Sequence, residues 1–181
     1  VDVLISGDDP TIRVAKQATK TIPIVMVINL DPVASGLVDS LARPGGNITG
    51  ISRLTRELSG KRLELLTEVV PGMARVGILW DSSSEGSKTS FKEYQAAARA
   101  LKIQLQSLAV RGPDYDLDGA FQSAVRGRAS ALVTIGGALL NRHRKQIANR
   151  AIKHRLPSMY DSSLWIEPGG LISYSSNDAE S

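Results

Sequence analysis

Residues 74–109, ARVGILWDSSSEGSKTSFKEYQAAARALKIQLQSLA, run strand, polar loop, helix, strand, and that order leaves few folds open. The apolar run 75–80 suits a parallel strand covered on both faces. Phe91, Tyr94, Ala98 and Leu101 then recur at helical spacing, with Lys92, Glu93, Arg99 and Lys102 on the opposite side. Residues 103–109 return as a second strand. A strand, an amphipathic helix and another strand make a βαβ unit, the building block of open parallel sheets. The loop Asp81-Ser82-Ser83-Ser84-Glu85-Gly86-Ser87 leaves the carboxyl end of the first strand, where such sheets place their ligands.

The same alternation continues along the chain. Residues 1–6, 23–28, 48–52, 130–135, 156–160 and 171–174 read as strands. Helices are expected over 11–20, 33–42, 54–70 and 115–125, and Gly136-Gly137 leads into a further, basic helix, with Asp9 capping the first and Pro10 in its opening turn. The fold class is therefore α/β, with Rossmann-like parallel sheets and helices on both faces. Pro44-Gly45-Gly46 is the best boundary signal, because proline and glycine gather where a chain passes between packed units. Two lobes are expected: 1–47, which is incomplete, and 48–170, with 171–181 beyond it.

At 181 residues, 42% of them hydrophobic and 22% charged, the chain can bury a real core. No apolar run approaches the ~20 residues of a membrane span. With no cysteine, disulfides and thiolate metal sites are excluded. Six of the 22 basic residues lie between Arg142 and Arg155, beside His143 and His154. They cover the polar side of a helix whose stripe is Leu140, Ile147, Ala148, Ala151 and Ile152. No interleaved aromatics or recognition motif accompany them, so a solvated face explains them better than nucleic acid does.

Short polar groups recur at strand exits: Gly7, Asp8, Asp9 and Thr11; Asp31 and Pro32; Ser52; Ser82, Ser83, Ser84 and Ser87; Gly136 and Gly137; Asp161 and Ser162. Carboxylates suit an ammonium, and hydroxyls with free N–H groups suit a carboxylate, so together they can hold a small polar solute. Taken singly, each loop also spells a cap or turn, and Ser82 with Glu85 spells a capping box. Gly136-Gly137 lacks a nucleotide fingerprint, and the two histidines lack acidic partners at metal-ligand spacing. No nucleophile elbow or coherent catalytic set emerges. Trp80 and Tyr160 each close a strand and suit either a stacked ligand or core packing.

Three blocks carry a resemblance: DPVASGLV from Asp31, SLARPGGNITGIS from Ser40, and LSGKRLELL from Leu58, continued by Arg155-Leu156-Pro157 and by EPGGLISY from Glu167. They resemble the ABC-transporter substrate-binding proteins of the tryptophan- and tyrosine-binding type. The resemblance implies a type I periplasmic binding fold, in which two lobes close over a ligand, with contacts from the loops named above. It implies a non-catalytic importer component that takes a small polar solute, an amino acid or similar, in the inter-lobe cleft. Permease and ATPase subunits would be its partners, its place periplasmic or extracellular and membrane-associated, with no cofactor, no metal and no nucleic acid. Family members extend beyond both ends, so apolar edges left exposed favour self-association. An effector module of a regulator or receptor is the alternative, and an α/β enzyme using Asp81 or Asp161 a third.

Overall fold

The computed structural model describes residues 1–7, 9–28, 31–33, 35–52, 58–112 and 115–175. The chain divides into two compact units, Val1–Arg56 and Glu57–Ser181.

In the first unit, β1 (Leu4–Ser6), β2 (Ile24–Ile28) and β3 (Ile48–Ser52) form a parallel sheet in the order β1-β2-β3. Helix α1 (Asp9–Ala18) begins at the residue expected to cap it, and Pro10 occupies its first turn. Ile12 packs with Ile24, Met26, Ile28 and Ile48 on one sheet face, and Leu37 and Val38 complete that cluster. The other face keeps Ile5, Val27 and Ile51 exposed, at 74%, 45% and 53%. Gly50 is required in β3, since its φ is +144° and a Cβ there would lie 2.0 Å from the Met26 carbonyl oxygen.

Two expectations need correction here. Strand β3 pairs with β2 along its whole length, so the first unit continues past residue 47, and 48–52 belongs to it. Among the described residues, 33–42 forms turns and no helix. Asp31 Oδ1 accepts the Val33 N–H, the Pro32 carbonyl accepts from Leu37 and Val38, and Gly36 takes φ +70°. These local bonds satisfy the backbone groups a helix would have used.

The second unit is a five-stranded, all-parallel sheet of order β5-β4-β6-β7-β8: β4 Arg75–Asp81, β5 Gln104–Val110, β6 Ala131–Thr134, β7 Ser158–Tyr160, β8 Ile172–Ser173. Helices α2 (Ser59–Val69) and α3 (Glu85–Ala100) cover one face, where Leu63, Leu66, Phe91, Tyr94 and Ala98 meet Val76, Ile78 and Val133. Helix α4 (Leu117–Arg126) and the pair α5 (Ala138–Arg142) and α6 (Arg144–Lys153) cover the other, through Phe121, Leu140, Ile147 and Ala151. The single basic helix expected after Gly136-Gly137 is thus two, broken at His143. Strand β8 lies inside this sheet, so 172–173 belongs to the unit that the sequence ended at 170.

The order is that of a doubly wound sheet. The chain moves from β4 outward to β5, then crosses back to β6 on the other side of β4. The two helical connections on either side of β4 therefore diverge, and the carboxyl ends of β4 and β6 form a topological switch point, the place where open α/β sheets hold their ligands.

Candidate functional site

The switch point is bordered first by the turn after β4. Asp81 is buried, and its Oδ1 accepts from the Ser83 N–H at 2.8 Å and from the Ser83 hydroxyl at 2.6 Å. Ser82 is tied to the end of β5, its N–H and hydroxyl both donating to the Val110 carbonyl. Ser84 caps α3, its hydroxyl accepting the Ser87 N–H at 3.3 Å. The cap is therefore Ser84, two residues later than the Ser82–Glu85 box expected; Glu85 instead pairs with Lys88, whose ammonium lowers its pKa.

The loop after β6 meets this turn. A Cβ on Gly137 would lie 4.0 Å from the buried Ser87 hydroxyl, so the start of α3 and the Gly137 backbone face each other at close range. The Gly136 N–H donates to Asp161 Oδ2 at 3.0 Å, which joins the exits of β6 and β7. A Cβ on Gly136 would come within 2.3 Å of that oxygen, so glycine is needed for the approach. Burial pushes the Asp161 carboxyl up, while the Arg62 guanidinium and the Gly136 N–H oppose the shift. Ser162 accepts from Leu164 N–H at 3.3 Å and so shapes the following turn.

Thus Ser82, Ser83, Ser84, Ser87, Gly136, Gly137, Asp161 and Ser162 fall at one end of one sheet, and Ser87, Gly136, Gly137 and Asp161 form a chain of close neighbours. In the first unit the exits of β1, β2 and β3 likewise share one end. Gly7 and Thr11 are exposed there, and Ser52 is half-buried. Asp31 organises a turn, held in place by Arg13 donating to the Ser35 carbonyl and Lys16 to the Gly36 carbonyl, while Pro32 is buried beneath it. Asp8 and the side chain of Asp9 lie outside the described residues.

Two aromatic candidates are accounted for by packing. Trp80 stacks on Phe91 at 4.5 Å and donates to the Ser107 hydroxyl, and Tyr160 stacks on Trp165 at 4.6 Å with both rings fully buried.

Four residues near these exits were not among the site candidates read from the sequence. Ser59, Arg62 and Tyr94 are buried on the inward sides of α2 and α3. Arg62 shares a helical stripe with Leu63 and Leu66, and that spacing was the available signal. Tyr115, after β5, meets His143 edge-on at 5.6 Å; its phenol pKa is raised by burial and by the Asp81 charge.

The family profile of ABC transporter substrate binding proteins matches residues 1–181. The chain belongs to the ABC transporter substrate-binding protein family. A tyrosine-binding protein of Clostridioides difficile (strain R20291) is 38% identical over 87 residues, 48% of this chain and 25% of that protein. An ABC domain from Streptococcus pneumonia, solved in complex with L-Trp, superposes with a TM-score of 0.84 at 23% identity, over 99% of this chain and 59% of its own. A leucine-binding protein from Thermotoga maritima superposes with a TM-score of 0.65 at 15% identity, over 94% and 48%. These neighbours share the type I periplasmic binding fold. The chain spans a quarter of its curated relative and about three fifths of the Streptococcus structure. Among the described residues, no helix is long and apolar enough to cross a membrane.

Proposed function

We propose that this chain captures a small polar solute, an amino acid or a similar molecule, for a bacterial ABC importer and releases it unchanged to a permease driven by an ATPase. The observation that carries this reading is the meeting of Ser87, Gly137, Gly136 and Asp161 at the topological switch point of the second unit. A carboxylate lies beside hydroxyl and backbone N–H groups there, and a zwitterion presents the complementary ammonium and carboxylate. The first unit's loops, Gly7 to Thr11, Asp31-Pro32 and Ser52, contribute further contacts in this proposal. Binding of tyrosine and L-Trp by the relatives favours an α-amino acid as the solute. Work outside the cytoplasmic membrane, in the periplasm or at the cell surface, follows from the importer role.

Calorimetry of the full chain against a panel of L-amino acids and small organic acids tests the proposal. Saturable binding of at least one amino acid, with weaker binding for Asp161→Asn, is expected. No heat from any member of the panel, with the fold verified by circular dichroism, overturns it.

A further inference from the structure

Three helices of the second unit end alike, at the amino end of its sheet and so away from the strand exits described above. Each turns into its next strand through one residue with left-handed backbone: Lys102 after α3 at φ +57°, Arg128 after α4 at +56° and Arg155 after α6 at +53°. The N–H of the next residue then reaches back into the last helical turn, Ile103 to the Ala98 carbonyl, Ala129 to Ala124 and Leu156 to Ala151, at 2.8, 2.9 and 2.9 Å. Glycine is the usual residue for that closure, because a side chain strains the left-handed region. The connection after α2 follows the rule with Gly72 at +74°. The other three carry a cation instead. The helix dipole favours cations within the last turn, which covers Arg99, Arg126 and Lys153, but its effect fades beyond that turn.

Parallel pairing brings these sites to one end. Gln104 and Ser130 both align with Arg75, and Lys102 and Arg128 each stand two residues before that row. Arg155 stands two before Pro157, whose carbonyl accepts from Leu132 on the neighbouring strand. Residues 96–104, 122–131 and 149–158 hold seven cations and no aspartate or glutamate. Arg150 pairs with Asp118; the other six form no ion pair among the described residues. Arg75 donates to neutral acceptors, the Gln104 side chain and the Gly127 carbonyl, so its charge is not cancelled either. Glu68, in the last turn of α2, and Glu167, in the connection to β8, are the acidic residues nearest in sequence. Val125, Ile152 and Leu171 are exposed among the cations. Ile152 and Leu171 also line, with Arg155, Leu156 and Pro157, a cavity of about 440 Å³.

We propose that the amino end of the second unit's sheet is a docking surface for an anionic membrane: Lys102, Arg128 and Arg155 meet lipid phosphates, and Val125, Ile152 and Leu171 reach the acyl boundary. The surface does not depend on the solute site, which lies at the opposite end of the same strands. Its charge calls for an anionic partner, and its layout favours lipid over an acidic protein or a nucleic acid. The cations are long, exposed side chains spread across β5, β4, β6 and β7, roughly 14 Å at ~4.8 Å per strand step. No carboxylate stands between them to fix the register of a protein partner, and a fluid lipid plane needs none. The interspersed apolar groups suit the headgroup boundary and gain nothing from a phosphodiester backbone.

Sedimentation of the full chain with vesicles tests the proposal without any solute. Wild type should bind vesicles of equal parts phosphatidylglycerol and phosphatidylcholine at least tenfold more tightly than pure phosphatidylcholine, and release them as salt rises. The triple variant Lys102→Gly, Arg128→Gly and Arg155→Gly places the favoured residue at each left-handed position and so keeps the fold. It should bind the anionic vesicles at least about tenfold more weakly. Lys61→Gln with Arg142→Gln and Arg144→Gln removes the same charge away from this end and should stay within about threefold of wild type. Equal losses in the two triples mean that net charge alone acts, and overturn the proposal. So does wild type that ignores phosphatidylglycerol, or that binds a DNA duplex more tightly than the vesicles at the same salt. Urea unfolding gives a readout free of lipid: the glycine triple should unfold at a higher midpoint than wild type. A lower midpoint would mean that the three cations serve stability, and counts against the proposal.

Discussion

Gly136 and Gly137 stand side by side in the sequence and differ sharply in what they tolerate. At Gly136 a methyl group would run into the Asp161 carboxylate, whereas at Gly137 the nearest atom is 4.0 Å away and the backbone is extended. Gly136→Ala should cost about 1–3 kcal/mol in urea unfolding, through overpacking and loss of the Gly136–Asp161 hydrogen bond. Gly137→Ala should change stability by no more than ~0.5 kcal/mol. Nothing in the sequence separates the two, because the difference is made by a residue 25 positions away. Asp161 was legible as a strand-exit carboxylate, but its partners were not. Arg62 and Tyr94 likewise meet from the buried sides of two helices, and side-chain convergence of that kind has no local signature.

At the level of elements, periodicity served well wherever packing decided the structure. Helix α3 places Phe91, Tyr94 and Ala98 on the core face as their spacing implied, and α4 does the same with Leu117, Phe121 and Ala124. It failed over 33–42, where Asp31, Pro32 and Gly36 supply turn bonds that outcompete an apolar pattern. The strand order β5-β4-β6 was also hidden, since βα alternation does not say on which side of β4 the chain returns. That order is what brings the β4 and β6 exits together. In the first sheet, the uncovered apolar face of Ile5, Val27 and Ile51 has its own consequence. The chain should self-associate in light scattering at high concentration, and Ile5→Lys with Ile51→Lys should return it to a monomer. A wild-type chain that stays monomeric would show that this face is tolerated in water.

For the whole molecule, the two units have unequal cores. Among the described residues, the first relies on a single cluster on one side of a three-stranded sheet, while the second packs both sides of five strands. Buried apolar area sets most of the stability, so the first unit should unfold at lower urea. Both tryptophans, Trp80 and Trp165, lie in the second unit and report only on it. Far-ultraviolet circular dichroism should begin to fall before tryptophan emission changes; coincident curves would mean that the units unfold together.

Every strand pairing in the described residues is parallel. No hairpin can start either sheet, and Val76 finds Ala131 only after α3, β5 and α4 have been threaded between them. Such topologies close long loops before they gain contacts, which places refolding on the slow side for a chain of this size. The half-built sheet meanwhile offers bare edges, so recovery from denaturant should improve steeply on dilution.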